Sequence, residues 1–206
     1  MRRKSEKGII TLEACIFLVL FMMIMLFLTS FFKFFMAQNA TAHAALQASE
    51  SLSFDPYLTS KTADKLSEVE DVGSIVMNLA VKLFGSANKS PGFVSENSWY
   101  DEAKVKEGAT EEEITKAKDE KKTELANTIR LRFMGYLVGD ADEEKADAYL
   151  ENLNVVDGID GIDFSESYIE NDTLYIVLKY QLKFDFNLGN IGVVDVEQTT
   201  CSKLWK

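Results

Sequence analysis

Proline, cysteine and histidine are scarce in this chain, which holds two, two and one of them among its 206 residues. So few prolines exclude a long proline-rich linker. The two cysteines, Cys15 and Cys201, are too few for a disulfide framework, and we expect them to lie far apart. The single histidine, His43, excludes motifs that need paired histidines, and no nucleophile elbow or glycine-rich phosphate loop occurs. The sequence therefore predicts neither an enzyme nor a bound cofactor.

Charged residues are missing from the stretch between Glu13 and Lys33. Fifteen consecutive apolar residues run from Ala14 to Leu28, and apolar residues continue with little interruption to Met36. Twenty helical residues at 1.5 Å each span roughly 30 Å, the hydrocarbon thickness of a bilayer. The polar face that a soluble helix would show at a period of 3.6 residues is absent. The sequence predicts one membrane-spanning helix.

The net charge of -11 is divided unevenly along the chain. Residues 1–8 carry two arginines and two lysines against one glutamate, a net charge of +3, which leaves -14 for the remainder. Basic residues before a membrane span hold the N-terminus in the cytoplasm, so we expect the rest of the chain outside the cytoplasmic membrane. A domain that acidic repels nucleic acid, and we expect no DNA or RNA binding.

Three kinds of N-terminal segment begin with a basic stub and an apolar run. A cleaved secretory signal has an apolar core of about 7–15 residues. The run in this chain is longer, and Thr29, Ser30 and Ala37 make poor cleavage sites. An uncleaved signal anchor would fit the length. A prepilin leader is the third possibility.

The residues around Gly8 favour the prepilin leader. A short basic stretch ends at Gly8, and Glu13 stands at the fifth position after this glycine, in the segment Lys7-Gly8-Ile9-Ile10-Thr11-Leu12-Glu13. This resembles the class III signal peptide of bacterial type IV pilins, which prepilin peptidase cleaves on the cytoplasmic side after the glycine. The resemblance implies cleavage between Gly8 and Ile9, with the apolar helix kept in the mature protein.

Glu13 is an unusual residue for a membrane helix. A buried carboxylate costs free energy in a bilayer, although less near its surface. Glu13 lies about one turn inside the apolar helix, where the positive end of the helix dipole favours an anion. It either reaches back to headgroup water or, as the resemblance implies, pairs with the new amino group of Ile9 on a neighbouring subunit and sets the register of assembly. The basic leader and Gly8 stand at the matching distance before Glu13, and this favours the second interpretation.

Helical patterns follow the membrane span. Residues 37–52 are rich in alanine, and the spacing of Ala40, Ala44, Ala48 and Leu52 suits close packing against another element. The pair Asp55-Pro56 ends this helix. Further helices are predicted at 61–84, from a capping box at Thr110 to a C-terminal Gly139, and at 142–150, with a loop at 86–108.

The last third of the chain changes to a period of two. The sequence predicts strands at 163–169 and 193–205 and a clear central strand between them. The central strand places apolar residues on one face, as in an antiparallel sheet lying on helices. These residues are Leu174, Ile176, Leu178, Tyr180, Leu182, Phe184 and Phe186. The fold class predicted is α+β, with a leader at 1–8, a transmembrane helix at 9–36, a helical stalk at 37–55 and an extracytoplasmic domain at 56–206.

Three aspartates, Asp157, Asp160 and Asp163, are spaced by three and separated by glycines. Calcium loops use alternate oxygen ligands and a closing carboxylate, a pattern that this spacing does not match. Turn formation before the following strand is the favoured interpretation. The three residues stay weak candidates for a cation site.

The Gly8–Glu13 element and the C-terminal hairpin ending in Leu204-Trp205 resemble the TadE-like minor pilins of tight-adherence (type IVc) pilus systems. The resemblance implies a membrane protein that takes part in assembling a surface pilus and contacts prepilin peptidase and other pilin subunits. The alternative is a signal-anchored extracytoplasmic binding protein with no filament role, whose helix is only a tether.

Overall fold

One helix of 52 residues, α1, runs without interruption over Arg2–Ser53. The structure is a computed structural model that describes residues 2–57, 99–100, 110–139, 142–188 and 191–205. The helix joins the apolar run and the alanine-rich segment, as the sequence predicts. It ends at Ser53; Phe54 forms a turn, and residues 55–57 are helical again, so the predicted break at Asp55-Pro56 is replaced by one at Phe54. The helix predicted at 61–84 and most of the loop at 86–108 lie outside the described residues.

Two further helices have the predicted end signals. Helix α2 covers Glu111–Val138 and begins with a complete capping box, in which Thr110 and Glu113 each bond the other's backbone N–H. It ends at Gly139, whose φ of 77° is the left-handed conformation that glycine adopts at low cost. Helix α3 covers Glu143–Asn152, and the Asp142 side chain caps it by accepting from the Lys145 N–H.

Three antiparallel strands form one sheet in the order β1-β2-β3. They cover Tyr168–Glu170 (β1), Thr173–Leu188 (β2) and Ile191–Lys203 (β3). A two-residue turn at Asn171 and Asp172, both with positive φ, joins β1 to β2, and these residue types tolerate that conformation well. The predicted small antiparallel sheet and the α+β class are confirmed.

Strand β1 is shorter than predicted. Instead of beginning at Asp163, the segment forms one isolated bridge there, to Lys179. The Asp163 carboxylate then accepts from the Ser165 N–H, and the Ser167 N–H donates to the Phe164 carbonyl. These local bonds divert the backbone into turns, so continuous pairing starts only at Tyr168.

The second half of α1 is part of the core. Helix α1 packs against α2, β2 and β3. On its inner face Ala37, Ala44, Ala48 and Leu52 are at most 1% exposed. The small side chains of the three alanines let the sheet and α2 approach closely, and Leu174, Ile176 and Leu178 of β2 complete the core on the face that the alternation predicted. The segment predicted as a stalk is therefore built into the head.

Enlarging an inner alanine should cost stability. We expect Ala48→Leu to lower the free energy of unfolding by about 1–3 kcal/mol, because extra carbons in a packed core force neighbours to shift. Ala42→Leu is the matched control, since Ala42 is exposed on the same helix and should change stability by less than about 0.5 kcal/mol. Alanine and leucine have similar helix propensity, so the difference isolates packing. Urea unfolding of the detergent-solubilised chain measures both, and equal effects would contradict the packing account.

Candidate functional site

The first half of α1 presents a continuous apolar surface. Its large side chains from Leu12 to Met36 are mostly half or more exposed, as at Phe17 (62%) and Leu18 (63%). Among the described residues, α1 is the one helix long and apolar enough to span a membrane. Such a surface is unstable in water and needs lipid or other apolar helices around it.

The predicted processing residues, Gly8 and Ile9, lie in the first turns of α1, four to five positions before Glu13. Residues four apart share one face of a helix. Glu13 is exposed on that face. The pairing of Glu13 with a neighbouring subunit stays a prediction.

The head begins to contact α1 at Ser30, which is 2% exposed. The ring of Phe34 stacks on that of Phe184 of β2, with centroids 5.8 Å apart. Lys33 Nζ lies 3.4 Å from Asn154 Oδ1. The head therefore covers one side of the last residues of the predicted membrane segment.

Polar contacts fix the second half of α1 on the sheet. Thr41 Oγ1 lies 2.9 Å from the Tyr180 hydroxyl and donates to Gln198 Oε1 at 3.0 Å. The Ser202 hydroxyl donates to the Ser49 carbonyl at 2.6 Å. At the end of the helix, the Trp205 N–H donates to the carbonyl of Ser53 at 2.9 Å. Because β2 and β3 are both held in this way, the register of helix on sheet is fixed along its length.

A buried ion pair joins the end of α1 to α2. Arg132 donates to both carboxylate oxygens of Asp55, at 3.1 and 3.2 Å, and to the Ser51 hydroxyl at 2.6 Å. The indole of Trp99 donates to Asp55 Oδ2 at 3.1 Å. Asp55 is 2% exposed and Arg132 is fully buried, so no substrate reaches either group. The cluster is suited to holding the fold together and not to catalysis.

Burial raises the pKa of Asp55 to about 6, against the opposing effect of the Arg132 charge and the bonds from Trp99 and Arg132. The folded protein therefore keeps a proton on Asp55 at pH values where the unfolded chain has lost it. We expect this group to lower stability as pH rises from about 4 to about 6, by a few kcal/mol.

Comparison of the wild type with Asp55→Asn in urea unfolding at pH 4.5 and 6.5 tests this, since the variant loses that part of the slope. Asp163→Asn is the control, because a hydrogen bond from the Ser165 N–H lowers the pKa of Asp163, so its contribution to stability changes only below about pH 4 and the slope between pH 4.5 and 6.5 should stay as in the wild type. A slope unchanged in Asp55→Asn would contradict the assignment.

The three candidate cation ligands have separate structural roles. Asp160 bonds Arg130, and Asp163 caps the turn at Ser165. The carbonyl of Asp157, a residue with positive φ, accepts from the Gly161 N–H. Within the described ranges, no three His, Cys, Asp or Glu side chains come together in a way that could hold a metal ion.

The remaining reactive residues stay apart. His43 is exposed on α1. Cys15 and Cys201 are free and exposed, one in the apolar part of α1 and the other on β3.

Sequence reasoning missed the partnership of Asp55 with Arg132. A signal was present, because Arg132 follows Ile129 by three positions and Leu125 by seven and so lies on the apolar stripe of α2. A charged residue on such a stripe needs a buried partner. Nothing in the local pattern names that partner, which lies 77 positions away.

Comparison with known proteins finds no relative of this chain. No family model matches the chain, and neither a curated protein nor a solved structure is significantly similar to it.

Proposed function

We propose that the protein is a minor pilin or pseudopilin that takes part in assembling a type IV, Tad-like surface pilus. In this proposal prepilin peptidase cleaves after Gly8, the apolar half of α1 stays in the cytoplasmic membrane, and the head lies outside. The protein acts by packing its apolar helix against those of other pilin subunits, and Glu13 pairs with the amino group of Ile9 on a neighbour. It is not an enzyme.

The observation that carries the proposal is the continuity of α1. Its apolar half and its core half form one uninterrupted helix, and the sequence Lys7-Gly8 to Glu13 stands at its beginning. A tether needs only an anchor and a flexible connection. A helix shared by membrane and head fixes the head relative to the membrane part, which ordered packing of subunits requires.

The same continuity argues against a cleaved secretory signal. Cleavage near residue 40 would cut α1 beside Ala37 and Thr41, both fully buried. The released head would lose the contacts of Ser30 and Phe34 and expose its core.

Mass spectrometry of the mature N-terminus tests the proposal, in a bacterial host with and without prepilin peptidase. We expect a chain that begins at Ile9 when the peptidase is present and keeps its leader when it is absent. A chain that keeps its leader in both strains would contradict the proposal and favour the signal-anchored binding protein. A start near residue 40 would indicate secretion instead.

A further inference from the structure

An open cavity of about 490 Å³ lies between the end of α3, the segment 154–157 that follows it, and β2 at Lys183 and Phe184. Sites for small molecules have volumes of about 300–1,000 Å³. Backbone bonds hold the segment against β2, because the Lys183 N–H donates to the Asn154 carbonyl and the Val156 N–H donates to the Gln181 carbonyl, both at 2.9 Å. The cavity is therefore framed by the folded backbone of the head.

The cavity carries charges of both signs. Glu151 and Asp157 contribute carboxylates and Lys183 contributes an ammonium group, and all three residues are exposed. Within the described residues, none of these three side chains forms an ion pair or a hydrogen bond. By contrast Lys179, on the same face of β2 as Lys183, pairs with Glu166. The charges that line the cavity therefore remain free to contact a bound molecule.

The cavity lies where the apolar part of α1 ends. A narrow gap beside it, lined partly by Ser30 and Phe34 of α1, shares three lining residues with the cavity. Asn154 Oδ1, at the cavity wall, lies 3.4 Å from Lys33 Nζ. Lys33 is the first charged residue after Glu13 and follows it by 20 positions, roughly 30 Å along a helix. With Glu13 near one surface of the hydrocarbon layer, Lys33 and the cavity lie at the headgroups of the other.

We propose that the cavity binds the phosphoethanolamine headgroup of a lipid in the outer leaflet of the cytoplasmic membrane. The carboxylates of Glu151 and Asp157 accept from the N–H groups of the ethanolamine ammonium, and Lys183 donates to the phosphate. Hydrogen bonds between charged groups are stronger than those between neutral ones. The ligand is a zwitterion, and the cavity supplies a partner for each of its charges.

The charges of the cavity also select among headgroups. Two carboxylates against one ammonium group repel an anionic headgroup such as phosphatidylglycerol. Choline carries the same charge as ethanolamine, but its trimethylated nitrogen has no N–H to donate to a carboxylate. Such a nitrogen binds best among aromatic rings, and Phe184 is the one aromatic residue among the described residues that line the cavity. Ethanolamine is therefore the headgroup that fits.

The position of the cavity favours a lipid over a soluble compound of the same chemistry. Exposed ion pairs are individually weak, so a soluble ligand would bind poorly. A lipid held in the bilayer beside the cavity has a high effective concentration there. Glycerophosphoethanolamine, which has the same headgroup and no acyl chains, distinguishes the two sources.

Native mass spectrometry of the full-length chain tests the proposal, with an equimolar mixture of phosphatidylethanolamine, phosphatidylcholine and phosphatidylglycerol of identical acyl chains. We expect the wild type to retain several-fold more phosphatidylethanolamine than either other lipid. Glu151→Gln combined with Asp157→Asn should abolish this preference, since the amides keep the shapes and lose both charges. Glu144→Gln combined with Asp195→Asn is the matched control, because it removes two exposed carboxylates outside the cavity and should keep the preference.

A lysine variant makes the test independent of the carboxylates. Lys183→Gln should lower the retention of phosphatidylethanolamine several-fold, and it decides the test if the double carboxylate variant does not fold. Lys203→Gln is its control, because Lys203 is exposed near the opposite end of the hairpin and should leave retention unchanged. Tryptophan fluorescence during urea unfolding checks that each variant is folded.

Three results would overturn the proposal. The first is equal retention of the three lipids, or of none, by the wild type. The second is a preference for phosphatidylethanolamine that persists in both cavity variants, since the lipid would then bind elsewhere. The third is binding of glycerophosphoethanolamine as tight as that of the lipid, which would make the ligand a soluble compound. The inference needs the membrane span but neither leader cleavage nor a role in a pilus, so each result is independent of the proposed function.

Discussion

Replacing Arg132 with methionine should destabilise the head by about 3–5 kcal/mol, the largest effect that we expect from a single substitution. Methionine keeps much of the side-chain volume but leaves the Asp55 carboxylate, which is 2% exposed, without its charged partner. A buried charge in that state is costly. Urea unfolding of the full chain in detergent, followed by tryptophan fluorescence, measures the loss.

The matched control is the double variant Asp55→Asn with Arg132→Met. It removes both charges, while the asparagine oxygen can still accept from the Trp99 indole, so much of the lost stability should return. Arg130→Met is a second control, because Arg130 forms its ion pairs with Glu143 and Asp160 near the surface. It should cost less than about 1 kcal/mol. A loss no larger in Arg132→Met than in Arg130→Met would contradict the role of the buried pair.

Replacing Gly8 with leucine should abolish maturation, so that the fraction of chains beginning at Ile9 falls from essentially all to none detectable. A peptidase must bring its catalytic groups close to the backbone of the bond it cleaves, and glycine permits that approach where a larger side chain obstructs it. Mass spectrometry of the N-terminus, in a host with prepilin peptidase, measures the change.

Ser5→Leu is the control for this substitution, because it adds an equally large side chain to the leader three positions before the bond. It should leave maturation intact. Glu13→Gln separates processing from assembly: we expect normal cleavage and loss of pilus formation, since the amide keeps the shape of the side chain and loses its charge. Complete maturation of Gly8→Leu would contradict the leader assignment.

Elements with local signals could be predicted from the sequence. The start of α2 follows from the capping box at Thr110 and its end from Gly139, because both motifs act within a few residues. The buried face of β2 follows from its alternation. The shortening of β1 could not be predicted, because short bonds from Asp163 compete with strand pairing and leave no sign in the periodicity.

Features that depend on distant residues could be predicted only in part. The spacing of the alanines on α1 predicted a face suited to close packing. It did not indicate which elements cover that face. The stacking of Phe184 on Phe34 and the contact of Asp55 with Arg132 join residues far apart in the chain, and one sequence does not record such pairings. In the candidate site, the assignment of Gly8, Ile9 and Glu13 to processing and assembly depends on the N-terminal sequence pattern alone. Their roles stay predictions.

The contacts between α1 and β3 have a consequence for the order of events during export. The Ser49 carbonyl meets a hydroxyl 153 positions later in the chain, and the carbonyl of Ser53 meets the backbone of Trp205. In the proposed topology, α1 would already be lodged in the bilayer while the strand that completes its packing was still emerging from the ribosome. The head must then fold late, after the chain as far as Trp205 has crossed, because such distant contacts cannot form earlier. Until then the inner face of the helix would be uncovered. Its alanines, serines and threonine expose less apolar surface to other unfolded chains than leucines would.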